Sequence, residues 1–229
     1  MAPTTVALGE IMSDEARELL ERVREEVRRD GGTNELVSLI ARGRASLDAL
    51  RALAAEENLI VRSDWRAFLT LAAQSTERPQ REFFAMVAGG EGLALAKLGD
   101  FAAGCGLGED DLAAHRPLPG CQAYPSYVAR LALDGNPHDA LLAILANFAE
   151  WGGYCATIAA ALREHYGFDD AACAFFDFFA TPSPELDALS LAALDAVLAT
   201  GWTPEGALPA ARLLHSYELM FWNTLADLA

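Results

Sequence analysis

The stretch ALLAILANFA, residues 140–149, is the longest apolar run in the body of the chain. It follows Pro137, which suits the first turn of a helix, and a helical pattern continues from about residue 138 to residue 165. A helix this apolar is expected at the centre of a bundle. Asn147 interrupts the run and Glu150 follows it, so the run is well short of a membrane span.

Ala and Leu dominate the rest of the chain, and the alternating β-branched runs that mark strands are missing from it. We predict seven to nine helices, with approximate bounds 13–30, 34–55, 64–74, 79–105, 123–134, 138–165, 169–180, 184–200 and 204–229. The sequence shows no internal repeat or interdomain linker. It therefore predicts an all-α fold, a single-domain helical bundle over residues 1–229.

The charge balance is strongly acidic, with 33 Asp and Glu residues against 17 Lys and Arg residues and a formal net charge of −16. Nucleic acids and anionic membranes are bound through clusters of basic residues. We therefore expect no nucleic-acid partner and no membrane partner.

The four cysteines, at 105, 121, 155 and 173, lie far apart and include no CxxC pair. Such cysteines are typical of reduced thiols that pack as small apolar side chains in a cytosolic protein. The start of the chain, MAPTTVALGEIMSDEARE, soon turns acidic, unlike a secretory signal. These features predict a soluble, cytoplasmic protein.

Four polar or aromatic residues form a stripe on the apolar central helix. Asn147, Glu150, Trp151 and Tyr154 follow one another at i, i+3, i+4 and i+7, so they share one face. Two glycines directly after Trp151 remove side chains beside the stripe, which would leave space for a flat ligand. The alternative is a wet edge of the bundle with ordinary core aromatics.

A carboxylate also interrupts the apolar stretch LLHSYELMFW, residues 213–222. His215, Glu218 and Trp222 share a helix face, and burying Glu218 among these apolar neighbours would raise its pKa toward neutrality. Such a group is suited to proton transfer, so we interpret Glu218 as the lining of a pocket. The alternative is an acid that points to water with His215 beside it.

Two further positions are candidates for the same pocket. Glu91 has a glycine on each side and begins an apolar run, although a surface position at a loose helical turn explains it equally well. Tyr124 and Tyr127, in AYPSY, lie at i and i+3, and either would supply an aromatic wall or simply pack in the core.

Two segments together resemble the TenA (thiaminase II) family, which shares the heme-oxygenase-like helical fold with pyrroloquinoline-quinone synthase. They are AYPSYVARLALDGNPHDALLAILANFAEW, residues 123–151, and SYELMFW, residues 216–222, and the similarity covers about half of the chain, mainly from Glu91 onward. The resemblance implies that Tyr124 stacks on the aminopyrimidine of the substrate and that Glu218 is the acid of the YExxFW motif. We also take Tyr154, Tyr217 and Trp222 as candidate substrate-binding residues.

The chain departs from that family at two positions. The family's main branch has a nucleophilic Cys on the central helix, and the ungapped match places Asn147 there, which cannot form the covalent intermediate. The family's pyrimidine-reading Asp has no convincing counterpart near WRAFLTLAAQ, residues 65–74. A second branch of the family uses acidic residues instead, which implies that Glu150 or Glu218 activates water while Tyr124 and Trp151 hold the ring.

The resulting hypothesis is an aminopyrimidine hydrolase of the thiaminase II type that needs no cofactor. Non-haem diiron oxidases and cofactor-free oxidases share the fold, and Glu91, Glu150, Glu218 and His215 lie on three helices. A diiron site normally uses several histidines and only His215 is suitably placed, so we predict no metal. The third alternative is a non-catalytic binder of a small heteroaromatic ligand.

The resemblance also implies a homo-oligomer, either a dimer or a tetramer. The aromatic run FFDFF, residues 175–179, would supply an apolar contact between subunits. A buried core helix explains the same run equally well.

Overall fold

Ten α-helices form the regular structure of residues 4–229, the part of the chain that this computed structural model describes, with side chains from Asp14 onward except that of Ala149. This confirms the all-α prediction. The helices are α1 (Thr4–Arg29), α2 (Glu35–Ala41), α3 (Leu47–Gln74), α4 (Arg78–Gly104), α5 (Glu109–Ala114), α6 (Pro119–Asp134), α7 (Pro137–His165), α8 (Asp170–Ala180), α9 (Pro184–Leu198) and α10 (Ala207–Ala226).

The largest error in the predicted helices concerns the break between α2 and α3. The predicted bounds ended one helix near residue 55 and placed the start of the next behind Ser63, whereas α3 runs unbroken through that region. The real break lies at Gly43, whose φ of 62° suits glycine, and at Ser46, whose side chain accepts a hydrogen bond from the backbone N–H of Ala49. Residues 56–63 therefore belong to the middle of a 28-residue helix.

Smaller differences occur elsewhere along the chain. The first helix begins at Thr4 rather than near residue 13, and the short helix α5 was not predicted. α6 begins at Pro119, four residues before its predicted start, because a proline is well tolerated in the first turn of a helix. The described residues thus contain ten helices instead of seven to nine. Residues 1–3 of the predicted domain lie outside the described residues.

The helix α7 packs against α8, α10, α2 and α1, and the residues from Ala140 to Ala146 are all buried. The full helix has 29 residues and is long and apolar enough to cross a membrane by length and composition, although its apolar run alone is short. More than half of its most apolar window, 53%, is buried within the protein, as in the core helix of a soluble protein.

Two apolar clusters make up the core. One joins α1, the end of α3, the start of α4, α6, the first half of α7, α9 and the start of α10, and the other joins α2, the first part of α3, the end of α4, α8 and the ends of α7 and α10. Phe175 and Phe176 of the FFDFF run are fully buried in the second cluster, so the run is part of the core. Tyr124 packs against both clusters and marks the region between them.

Candidate functional site

A cavity of about 1400 Å³ lies between the two apolar clusters, and we call it the central cavity. Its walls come from α1, α3, α4, α6, α7 and α10 and from the connection between α8 and α9. Five of the nine candidate residues from the sequence line it: Glu91, Tyr124, Asn147, Trp151 and Glu218. Two residues of the stripe on α7, Asn147 and Trp151, therefore meet the acid on α10 at one site.

The other four candidates do not reach the cavity wall. Tyr217 packs edge-on against Tyr127, with 5.3 Å between ring centroids, because it is one residue from Glu218 and so points about 100° away around the helix. Trp222 is fully buried behind the wall, and its ring lies 5.6 Å from Trp151 and 5.8 Å from Tyr154. None of these three residues lines the cavity, so a direct contact between them and a substrate stays a prediction.

Glu150 is the fourth, and it pairs with His215 behind the wall. Its Oε2 atom lies 3.3 Å from Nδ1 of His215. This hydrogen bond lowers the pKa of Glu150 and raises the pKa of His215. Glu150 remains about a quarter exposed, so the pair lies between Glu218 and solvent rather than in the cavity.

Glu218 is 4% exposed, and both of its oxygens are held by donors. Asn147 Nδ2 donates to Oε2, and Trp222 Nε1 donates to Oε1 over 3.4 Å. Burial raises the pKa of Glu218 to about 7, although the two hydrogen bonds oppose this by stabilising the ionised form. The side chain is therefore fixed in orientation and divided between its two protonation states at neutral pH.

The atoms of Glu150, His215 and Glu218 also form a set that would suit a metal ion, since one ligand atom from each lies within 4.8 Å of the others. One imidazole and two carboxylates suit a single ion. The other three histidines lie elsewhere: His115 contacts Glu56, His138 contacts Gln80, and His165 packs against Gly43. Within the described residues no second histidine is available for a diiron site.

Two acids of α3 that were not among the predicted site residues, Glu57 and Asp64, also line the central cavity. Asp64 is 4% exposed; the hydroxyl of Tyr124 donates to its carboxyl group, and its Oδ1 atom has no hydrogen-bond partner. Burial raises the pKa of Asp64 to about 8. Glu57 is 2% exposed, and burial, with Asp64 and Glu218 nearby, raises its pKa well above the usual range.

The reason for this omission is the misplaced helix break. Glu57 fell between two predicted helices, and Asp64 fell in a first turn, where acids are common. In the continuous helix α3, both acids share a face with apolar residues at i, i+3, i+4 and i+7, namely Glu57, Ile60, Val61 and Asp64. Two acids on the apolar face of one long helix were the available signal.

Glu91 of α4 is the third of three carboxyls that lie near Tyr124 together with Glu218, and we call these three the acidic end of the cavity: Glu57, Asp64 and Glu91. Burial, with Asp64 and Glu57 nearby, raises the pKa of Glu91 well above its usual range. The pKa of Tyr124 is also raised, first by burial and then by the surrounding carboxyls. The neutral forms of these groups are favoured because their charged forms would bring charges of one sign together in a poorly hydrated space.

Two pairs of glycines line the mouth of the central cavity, and we call them the glycine mouth: Gly89 and Gly90 on α4, and Gly152 and Gly153 on α7. A Cβ atom on Gly89 or Gly153 would meet nothing within 4 Å. Gly92 serves packing instead, since a Cβ there would lie 3.3 Å from the ring of Trp65. On α4, Gly89 therefore leaves space open beside the cavity, whereas Gly92 allows a close contact between helices.

The residue before Glu57 faces the opposite way. Glu56 is fully buried, and we call its surroundings the α6 anchor: His115 Nε2 lies 2.8 Å from Oε1, the backbone N–H of Leu118 donates to Oε1 over 2.6 Å, and Gln122 Nε2 donates to Oε2 over 2.7 Å. The carboxyl group of Glu56 accepts these hydrogen bonds from residues just before and at the start of α6. It therefore fixes α6, which carries Tyr124, on α3.

Known structures share this architecture. A TenA homologue from P. horikoshii OT3 aligns with a TM-score of 0.66 at 16% identity, over 95% of this chain and 99% of that chain. A protein described as a TenA-like thiaminase from Sulfolobus solfataricus P2 gives 0.64 at 16% identity, over 99% and 97%. A domain with a heme oxygenase-like fold from Shewanella denitrificans OS217 gives 0.62 at 13% identity, over 93% and 90%. These likenesses confirm the expected heme-oxygenase-like fold.

The sequence comparisons are narrower. No curated protein matches the chain. The model of the TENA/THI-4/PQQC family matches residues 34–189. This range includes all of α3, in the N-terminal third that the resemblance left out, and it ends before SYELMFW. Because the match covers well over half of the sequence, the chain belongs to the TENA/THI-4/PQQC family.

Proposed function

We propose that the protein binds a thiamin-related aminopyrimidine in the central cavity and hydrolyses the bond between its methylene carbon and the leaving amine. The observation that carries this proposal is Glu218, a buried carboxyl at the cavity wall with a pKa of about 7 and a fixed orientation. A group that gives and takes a proton near neutral pH is what this hydrolysis requires.

The acidic end supports ring binding. The Tyr124 ring offers a flat wall for stacking, and the hydroxyl of Tyr124 holds the Asp64 carboxyl. The unpartnered Oδ1 atom of Asp64 is available to an amino group or a ring nitrogen. Asp64 directly precedes WRAFLTLAAQ, and we assign to it the pyrimidine-reading role of the family's Asp.

Water is the nucleophile in this proposal, because Asn147 stands where the family's main branch has Cys. A water molecule adds its oxygen to the methylene carbon, the carbon–nitrogen bond breaks, and ammonia leaves. Glu218 takes the proton from water and returns one to the departing nitrogen, so the products are the hydroxymethylpyrimidine and ammonia. Asn147 keeps one Glu218 oxygen in place, and Trp151 closes the ring site.

Glu150 has a different role from the one expected for it. Since it lies outside the cavity wall, we assign it no contact with substrate. The pair of Glu150 and His215 instead sets the electrostatic surroundings of Glu218 from the solvent side.

We further propose a cytoplasmic homo-oligomer that binds neither nucleic acid nor membrane. All four cysteines are buried and free, as in a reducing compartment. The net charge of −16 opposes binding to polyanions.

The test is incubation of the purified protein with 4-amino-5-aminomethyl-2-methylpyrimidine and, separately, with thiamin. Release of the hydroxymethylpyrimidine, followed by liquid chromatography, is the expected result. Glu218→Gln should lower kcat by about 10²-fold or more, because proton transfer is lost while the shape is kept. Substrate binding without turnover in the wild-type protein would contradict hydrolysis.

That contrary result would favour the second candidate, a non-catalytic binder, which is suggested by Asn147 in place of the nucleophile.

An oxidase is suggested by the possible metal ligands Glu150, His215 and Glu218. Anaerobic loading with Fe²⁺, followed by metal analysis and oxygen-uptake measurements, separates it from the hydrolase. The hydrolase should retain its turnover after treatment with a chelator, whereas tightly bound iron with substrate-dependent oxygen uptake would support the oxidase.

A further inference from the structure

We propose that the acidic end of the cavity is a cation-recognition site, in which Glu57, Asp64 and Glu91 bind a heteroaromatic amine as its ring-protonated cation. This inference deepens the proposed function, because it names the charge state of the ligand at the same site. It assigns Glu57 and Glu91 a part in specificity that the hydrolysis itself does not require.

The first argument is the absence of a matching positive charge. Among the described residues that line the cavity, the basic side chains are Arg17 and Arg24 of α1. Arg17 pairs with Asp14, and Arg24 pairs with Glu21 and donates to the carbonyl oxygen of Leu145. Both arginines thus have partners on or beside their own helix, and the three carboxyls have none with positive charge.

The second argument is unused hydrogen-bonding capacity. Asp64 Oδ1 is buried without a partner, and no donor in the described part of the chain bonds to Glu57. A neutral ligand would satisfy one such atom. A protonated ring with an exocyclic amine presents N–H donors on the ring and on the amine and a delocalised positive charge, which suit the acceptor oxygens and the negative charge of ionised carboxyls.

The third argument is the aromatic wall beside these carboxyls. Tyr124 of α6 and Phe68 of α3 line the same cavity. A flat cation gains from stacking on an aromatic face as well as from the neighbouring carboxylate. The site therefore favours an aromatic cation over an alkyl ammonium ion.

The charge state of the empty site gives the proposal a measurable signature. Burial raises the pKa of all three carboxyls, with repulsion from neighbouring acids added for Glu57 and Glu91, so they are mostly neutral when no ligand is present. A bound cation would ionise one of them and release about one proton. The other ionisable groups that act on these carboxyls or face the same space are Glu56 of α3, Tyr124 of α6, Tyr154 and Cys155 of α7, and Glu218 of α10.

The experiment compares two probes of similar shape by isothermal titration calorimetry. 4-Aminopyridine is largely a ring-protonated cation at neutral pH, and aniline is neutral. We expect the cation to bind about tenfold or more tightly, with an affinity that rises from pH 6 to pH 8 and a release of about one proton, read from buffers of different ionisation enthalpy. Equal affinities, no proton release, or no binding of either probe would overturn the proposal.

Variants locate the effect. Glu57→Gln and Glu91→Gln should each reduce the preference for the cation several-fold, while Glu82→Gln, an exposed acid on α4, should leave it unchanged. Because a neutral carboxyl and an amide have similar shape, the variants should retain the wild-type Tm, which is measured first. An unchanged preference in both cavity variants would overturn the assignment.

This result is separable from the proposed function. Selective binding of the cation without hydrolysis of any aminopyrimidine would refute the hydrolase and leave the cation site standing. Hydrolysis of an aminopyrimidine with no preference between the two probes would support the hydrolase and refute the cation site.

Discussion

Glu56 and Glu57 are adjacent on α3, and both are buried, but they meet opposite surroundings. Glu56 points to the α6 anchor and receives three hydrogen bonds. Glu57 points to the central cavity, where Asp64 and Glu218 are its acidic neighbours and no donor in the described residues bonds to it. One carboxylate holds two helices together, and the other remains unsatisfied in a space large enough for a ligand.

The difference teaches how to separate structural from functional acids in this family member. A buried acid with all its acceptor capacity used stabilises the fold. A buried acid with unused capacity costs stability, so its presence calls for an explanation by ligand binding. Each of the following predictions tests whether this distinction holds.

The largest expected effect is the response of stability to pH. The folded-state pKa of Asp64 is about 8, against an ordinary value of 3.8, and the pKa values of Glu57 and Glu91 are also raised. The stability that Asp64 contributes is complete below its ordinary pKa and is lost as the pH rises toward 8, and the raised pKa values of Glu57 and Glu91 act in the same direction. The free energy of unfolding should therefore fall with pH, by up to about 1.4 kcal/mol per pH unit for Asp64.

Urea unfolding followed by circular dichroism at pH 5, 6.5 and 8 measures this slope. Asp64→Asn should make it shallower, and Asp100→Asn, which removes an exposed carboxyl from α4, should not. Equal slopes in the wild-type protein and Asp64→Asn would show that Asp64 is ionised in the fold and would break the comparison.

The second effect is the loss of the α6 anchor. Glu56→Gln replaces a charged acceptor of three hydrogen bonds with an amide that cannot accept all three, so we expect a loss of about 2 kcal/mol. For a chain of this size that corresponds to a drop in Tm of about 4–8 °C.

Glu57→Gln is the matched control, measured by thermal unfolding at pH 7. It removes no hydrogen bond and relieves a buried acid, so its Tm should equal or exceed that of the wild type. A larger loss in Glu57→Gln than in Glu56→Gln would reverse our assignment of structural and functional acids.

The smallest effect concerns the pair behind Glu218. The positive charge of His215 lowers the pKa of Glu218, so His215→Gln should raise it and move the acidic limb of the kcat profile to higher pH. Turnover at pH 7 should fall less than tenfold and recover near pH 8, with KM unchanged. The test is kcat measured from pH 5.5 to 9. A uniform loss across that range would indicate a purely structural role.

The elements that could be predicted from sequence share a physical basis. The apolar period of α7 and Pro137 at its start predicted the bounds of that helix almost to the residue. The burial of Glu218 was predicted because the residues around it in sequence are nearly all apolar. Helical periodicity is a local signal, so residues on one helix are placed well by it.

Relations between helices were harder to predict. Tyr217 and Trp222 belong to one motif with Glu218, but only the packing of α10 shows that they face away from the cavity or behind its wall. The α6 anchor joins residues 56 and 115–122, and no sequence period connects them. Asp64 was overlooked because the helix that carries it was divided at the wrong position.

The glycine mouth has a consequence for the evolution and engineering of this chain. Gly89 and Gly153 have open space where a side chain would stand, and both lie inside helices. Alanine at each position would fit and would stabilise the helix by about 1 kcal/mol. The chain forgoes that gain at Gly99 as well, outside the cavity lining, but at Gly89 and Gly153 the added methyl groups would also narrow the entrance. Substitution of these two glycines by progressively larger residues would exclude progressively smaller ligands and would leave the side chains inside the cavity unchanged.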